Sequence, residues 1–192
     1  MSANVKNFIL ASSSPQRIAL LRQIDCEPAK ICPANIDETA YPKEKPLPYV
    51  RRMALQKAAH VAALNLEQNV LACDTVVCVG NRIIHKSSSE DEQRKVMKLL
   101  SGRVHKVISS VCLIDKNGKI HQRTVSTRIT MKRLSERELE DYVKDGEWKG
   151  VCGYKIEGKM AAYVSRLVGD YSAVVGLPLC ETMNLLNGVG IK

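Results

Sequence analysis

The stretch FILASSSPQRIALLRQI, from Phe8 to Ile24, sets the terms for the rest of the chain. A short apolar run gives way to three serines, a proline and then apolar Ile18, Leu21 and Ile24 at helical spacing. Pro15 suits the first helical position, where its missing N–H would be unpaired anyway, and Ser14 before it is placed as the N-cap. A helix that begins directly after a strand aims its free backbone N–H groups and the positive end of its dipole at the loop mouth, which favours an anion. Ser12 and Ser14 add hydroxyls there, and Arg17 adds a cation. An ordinary strand-to-helix junction with a capping serine fits the same residues, so the other segments must choose between the two readings.

A chain of 192 residues is long enough for a sizeable core and fits one domain spanning 1–192. Its seven cysteines have no C-x-x-C spacing and no histidines at zinc-finger spacing, so reduced thiols in a cytoplasmic protein are expected. No basic, apolar leader follows Met1, and no segment approaches the roughly 18 apolar residues of a membrane span. The expectation is a soluble protein with no membrane partner. A net charge of +9 suits an anionic partner, but only 4% of the residues are aromatic and the basic residues are dispersed. A base-stacking platform is therefore not expected, and nucleic acid is not the predicted partner.

Downstream of the first helix, five prolines between residues 28 and 48 predict irregular chain, with Asp37-Glu38 as its polar centre. Adjacent carboxylates there suit a divalent cation or a solvated acidic turn, and both readings stay open. A helix from about Pro48 to Leu64 carries Val50, Met53, Ala54, Ala58 and Val61 on one stripe. At about 100° per residue Lys57 falls within roughly 20° of Val50, on that stripe. An inward lysine needs an anion or a route to water, because an unpaired buried ammonium is costly.

Asn69 to Val79, NVLACDTVVCV, reads as a buried strand with one carboxylate, Asp74, in its middle. Such a carboxylate requires compensation, and perturbed carboxylates favour functional sites. Gly80-Asn81 predicts a type II′ hairpin that leads towards Lys86. Ser89 with Glu92, and Ser135 with Glu138, are spaced as capping boxes for two helices. Between them lie two long strands, about His105–Ile114 and Ile120–Met131, joined through Asn117-Gly118. Four glycines between 146 and 158 suit a flexible binding loop or irregular turns. Strands near 162–168 and 173–175 and a helix from Pro178 to Leu186 complete the reading. Phosphate-loop, dinucleotide, nucleophile-elbow and zinc-protease motifs are absent.

In order along the chain, Ser12-x-Ser14-Pro15-x-Arg17, Asp37-Glu38, Gln56-Lys57-Ala58, Ala72-x-Asp74-Thr75-Val76-Val77, Lys86, Leu100-Ser101-Gly102-Arg103-x-His105, Gly146-Glu147, Gly153-Tyr154-x-Ile156-x-Gly158 and Val175-Gly176-Leu177-Pro178-Leu179 resemble the Maf family of nucleoside triphosphate pyrophosphatases. The resemblance implies a mixed α/β fold: an elongated sheet flanked by helices, with two lobes around a cleft, similar to inosine triphosphate pyrophosphatase. It further implies a homodimer, a divalent Mg²⁺ or Mn²⁺ cofactor, a nucleoside triphosphate substrate and a link to arrest of cell division or septum formation. By position, Asp74 matches the catalytic carboxylate, and Glu38 with Asp74 the metal side. Ser12, Ser14, Arg17, Lys57 and Lys86 match the phosphate-binding set.

Gln16, Thr75 and Glu157 match positions linked to the choice of base. Gln16 stands where an arginine is frequent, Glu157 where a glutamine is frequent, and Ser87 follows Lys86 where a proline is frequent. Thr75 resembles members acting on uridine and thymidine triphosphates, whereas Glu157 resembles members acting on 7-methylguanosine triphosphate. The reading leans to pyrimidine triphosphates. A non-catalytic, nucleotide-binding division regulator is the alternative from another class.

Overall fold

The computed structural model describes residues 5–191. Its spine is β3 (Val70–Val79), whose near-continuous apolar sequence is buried on both faces. The antiparallel strand β5 (Val104–Ile114) pairs with it over nine residues, from Val70↔Ile114 to Cys78↔Lys106. On its other side β3 is covered only at its ends. β1 (Val5–Leu10) runs parallel to its start, through Ile9↔Val70 and Leu10↔Leu71. β4 (Arg82–Ile84) runs antiparallel to its end, from Val77↔Ile84 to Val79↔Arg82. Among the described residues no strand covers that side of β3 from Ala72 to Val76. Asp74 lies in the middle of this gap. The β3–β4 turn has Gly80 at φ 59, the left-handed value that a type II′ turn requires at its first central position.

The sheet extends outward as β2-β1-β3-β5-β6-β7, with β2 at Glu27–Ile31, β6 at Ile120–Met131 and β7 at Val164–Val168. β2 corrects the irregular reading of this proline-rich region, since it pairs in parallel with β1 at Val5↔Glu27 and Lys6↔Pro28. An edge strand tolerates Pro28, which has no N–H for a ladder but faces only one neighbour.

Side-chain alternation divides the core by face. Ile9, Val70, Ala72 and Cys112 pack under α2 (Pro46–Leu64) with its Ala54, Ala58 and Val61; further along the same face Val76, Cys78 and Ile108 meet its Tyr49, Val50 and Met53. The opposite face buries Phe8, Leu71, Cys73 and Val111 with Leu20 and Leu21 of α1 (Pro15–Gln23) and Leu185 and Leu186 of α6 (Leu179–Gly188). Beyond Asp74, that face joins Val77, Val107 and Ile129 to Met97 and Leu100 of α3 (Glu90–Leu100) and to Leu139 and Tyr142 of α4 (Glu136–Asp145). The result is a mixed α/β fold with a packed lobe at each end of the long strands and a cleft between them.

The capping boxes divide. Ser135 and Glu138 make both reciprocal bonds at the start of α4. Ser89 accepts from Glu92 N at the start of α3, but the Glu92 carboxylate accepts from Ser88 N and Oγ instead, at 2.8 Å each. The segment expected as a strand at 173–175 is a short helix, α5 (Tyr171–Val175). A 3₁₀ turn at Lys159–Tyr163 precedes β7, so that strand starts later than expected. No described helix is long and apolar enough to cross a membrane.

Candidate active site

Alternation along β3 places Asp74 on the face covered by α2 and Thr75 on the other. Lys57, on the buried stripe of α2, therefore points at Asp74. Its Nζ lies 2.6 Å from Asp74 Oδ1 and 3.0 Å from Glu38 Oε2. Both Lys57 and Asp74 are buried, at 8% and 6% exposure, so each is the compensation that the other needs. Removing one partner of such a pair leaves an uncompensated buried charge, a cost of roughly 3–5 kcal/mol. Glu38 arrives on the irregular connection between β2 and α2, anchored where the Tyr49 hydroxyl donates to its carbonyl at 2.8 Å. Burial, with the Asp74 and Glu38 charges beside it, holds the Tyr49 phenol well above its ordinary range. Of the acidic pair only Glu38 enters the cleft: Asp37 caps a turn by accepting from Thr39 N at 2.9 Å, and the Thr39 side chain and then its backbone N–H lower the Asp37 pKa.

The opposite wall is the start of α1. Ser14 occupies the N-cap position, but its hydroxyl donates to Gln16 Oε1 at 3.1 Å and makes no cap bond. The first-turn amides are thus left without a side-chain acceptor at the cleft mouth, which strengthens the case for an anion there. Arg17 is fixed by Nη1 donating to Ser12 Oγ at 2.9 Å and by Nε donating to the Gly176 carbonyl at 2.9 Å. Lys86 follows β4 and is held by a backbone bridge to Cys152, whose thiol is raised by burial against the opposing pull of Lys86. Ser12, Ser14, Gln16, Arg17, Glu38, Lys57, Asp74, Thr75, Lys86 and Glu157 all line one cleft of about 400 Å³.

Residues 7–189 match the family described as Maf-like protein. The chain belongs to the Maf family. It is 45% identical over 199 residues to a dTTP/UTP pyrophosphatase of Agrobacterium fabrum, covering 100% of this chain and 96% of that one. It is 48% identical over 184 residues to a dTTP/UTP pyrophosphatase of Paramagnetospirillum magneticum, covering 95% and 97%. Among solved structures, a nucleoside-triphosphatase / dITP/XTP pyrophosphatase of Mycobacterium abscessus aligns over 66% of this chain and 73% of its own, with TM-score 0.46 and 15% identity.

In this Maf protein, no group of three or more His, Cys, Asp or Glu side chains among the described residues is placed to hold a metal ion. Glu38 and Asp74 supply carboxylate oxygens at one place, with Lys57 between them. That donor set fits a hard cation such as Mg²⁺, which takes one or two carboxylates and completes its shell with water and substrate phosphates. It does not form a closed protein cage.

The residues assigned to base choice differ in how they sit. Thr75 Oγ1 is 2.7 Å from Ser109 Oγ and 3.4 Å from the Gly176 carbonyl, so its hydroxyl joins a network that continues from Ser109 Oγ to the Ala173 carbonyl at 2.6 Å. Ser109, Tyr49 and Cys152 were not singled out from sequence, and Gly176 entered only as part of the motif from Val175 to Leu179. Tyr49 was within reach, because it lies one turn before Met53 on the buried stripe. Ser109 has no local signal, being joined to Thr75 across 34 residues, and nothing local shows that the Gly176 carbonyl meets Thr75 across 101.

Proposed function

We propose that this chain hydrolyses the pyrimidine nucleoside triphosphates UTP and dTTP to the monophosphate and pyrophosphate. The observation that carries the reading is the buried Asp74–Lys57 pair, set with Glu38 in the gap of the sheet and facing the uncapped start of α1. The names of relatives that align over nearly their whole length supply the base preference.

Asp74 orients the attacking water and takes its proton as the oxygen adds to the α-phosphorus. The bond from that phosphorus to the β-phosphate bridging oxygen breaks, and pyrophosphate leaves. Lys57 holds the Asp74 carboxylate in place and, with Arg17, Lys86, the serine hydroxyls and the free amides of α1, offsets charge growing on the leaving group. A divalent cation held by Glu38 and Asp74, when bound, would neutralise phosphate charge and polarise the reacting centre. The polyphosphate is thus gripped from two walls while the base reaches towards Gln16, Thr75 and Glu157.

The test is pyrophosphate release over a panel of ordinary and modified nucleoside triphosphates with Mg²⁺ or Mn²⁺, repeated with Asp74→Asn. UTP and dTTP are expected to head the panel, and the variant is expected to lose on the order of a hundredfold or more in kcat while still binding triphosphate. Undiminished turnover in Asp74→Asn would remove the aspartate from the chemistry. Binding without release across the whole panel would replace the enzyme by a nucleotide-binding regulator.

A further inference from the structure

One buried amide links the segment that carries Lys86 to the loop that carries Glu157. Gln93, near the start of α3, is 1% exposed and uses both ends of its side chain. Its Oε1 accepts from Ser87 Oγ at 2.8 Å, and its Nε2 donates to the Gly153 carbonyl at 2.7 Å. Ser87 directly follows Lys86, and Gly153 directly follows Cys152, the two residues that form the isolated backbone bridge. Gln93 therefore spans the positions just beyond that bridge. A carbonyl can only accept, so Gly153 fixes which end of the amide faces it, and the Ser87 hydroxyl must then be the donor to the other end.

The loop from Gly150 to Glu157 has other anchors, but they lead elsewhere. Lys155 N donates to Tyr142 Oη at 3.3 Å, and the Tyr154 hydroxyl lies 2.6 Å from His105 Nε2. Both tie the loop to the apolar core of its own lobe. Among the described residues, Gln93 alone ties it by side-chain hydrogen bonds to the segment that carries Lys86. A glutamine that only filled space would be a poor choice at 1% exposure, because an apolar side chain of similar volume would avoid burying its amide.

We propose that Gln93 is a positioning residue that sets Lys86 and the Glu157 loop in register, so that the phosphate contact and the base contact are made by one rigid unit. The inference rests on the pyrophosphatase reading above. Small misplacements at such distances are expensive, since a shift of about 1 Å in a positioned group can cost on the order of a hundredfold in rate.

Two variants separate the arms. Gln93→Glu keeps an acceptor for Ser87 but sets a carboxylate oxygen against the Gly153 carbonyl, so the loop arm breaks. Ser87→Ala removes only the arm towards Lys86. In Gln93→Glu, kcat/KM for UTP is expected to fall roughly tenfold and that for GTP further, because the displaced Glu157 carboxylate suits the guanine edge, so the preference for UTP over GTP widens severalfold. Ser87→Ala is expected to lower kcat/KM several-fold on both nucleotides, leaving the preference in place. It should also speed hydrogen exchange of the amides from 151 to 157, because the strut transmits the loss across to the loop. Exchange is read without turnover, so it decides the matter even if the wild type releases no pyrophosphate, a result that would instead overturn the proposed activity. A purely structural glutamine predicts lower melting temperatures with unchanged kcat/KM, preference and exchange, and that pattern would overturn the proposal. If Gln93→Glu does not fold, unchanged kinetics and exchange in Ser87→Ala overturn it alone.

Discussion

Glu157 faces the cleft with its carboxylate uncommitted. Lys159, two residues on, pairs instead with Asp145 at 2.8 Å, and among the described residues Glu157 enters no ion pair. An ionised glutamate only accepts hydrogen bonds, which suits the N1–H and N2–H₂ edge of guanine and the positive ring of its 7-methyl form. Uracil offers one N3–H donor between two carbonyls, and a glutamine would serve both kinds of group. Glu157→Gln is therefore expected to raise the ratio of kcat/KM for UTP over 7-methyl-GTP by roughly tenfold, about 1.4 kcal/mol of changed discrimination. Steady-state kinetics on the two nucleotides measures it, and an unmoved ratio would take Glu157 out of the base pocket. At this scale much of the site was legible. A carboxylate inside an apolar strand and a lysine on an apolar helix stripe are both anomalies that a local pattern exposes, and the structure sets Asp74 and Lys57 against each other. What stayed hidden depends on distant chain: the partners of Thr75 and the use of Gln93 by Ser87 and Gly153.

The helices differ in how firmly they begin, and this has a measurable consequence. α4 starts on a complete box, where Ser135 Oγ accepts from Glu138 N and the Glu138 carboxylate accepts from Ser135 N at 2.9 Å. Lys132 Nζ also lies 2.6 Å from Glu138 Oε1, and together these contacts pull the Glu138 pKa down to about 2. Because α4 supplies Leu139, Tyr142 and Val143 to the core of its lobe, fraying at its start is felt in packing. Ser135→Ala is expected to cost about 1 kcal/mol, seen as a lower urea midpoint at unchanged m-value. Ser89→Ala, at the half-formed box of α3, should cost less. The same local chemistry explains two differences between sequence and structure. Val174-Val175 reads as strand by β-propensity, but Asp170 Oδ1 accepts from Ala173 N at 3.1 Å and caps a helical turn there. Residues 27–31 read as irregular because of Pro28, and only the position of this segment at the sheet edge allows a strand.

The lobes on either side of the cleft share their strands, which bears on how the whole molecule comes apart. β3 contributes Val77 to the core of one lobe, Leu71 and Cys73 to the core under α1 and α6, and Val70, Ala72, Val76 and Cys78 to the two clusters under α2. β5 does the same with Val107, Val111, Cys112 and Ile108. Neither lobe can lose its core without stripping apolar residues from strands that the other lobe also needs, so unfolding should be a single cooperative transition. Trp148 allows a clean test, because it is the only tryptophan, is 3% exposed in the α3–α4 lobe and donates its indole N–H to the Val143 carbonyl at 2.8 Å. Its fluorescence reports that lobe, while far-UV circular dichroism reports the whole chain. The two signals are expected to share one urea midpoint. Saturating UTP in the Asp74→Asn variant should move both by the same amount, since a ligand held from both walls stabilises only the intact pair. Asp74 lies between the shared clusters, so pyrophosphate release by the wild type should fade at that same midpoint. A tryptophan transition separated from the dichroism would mean that the long strands do not couple the lobes and that the chain folds as two units.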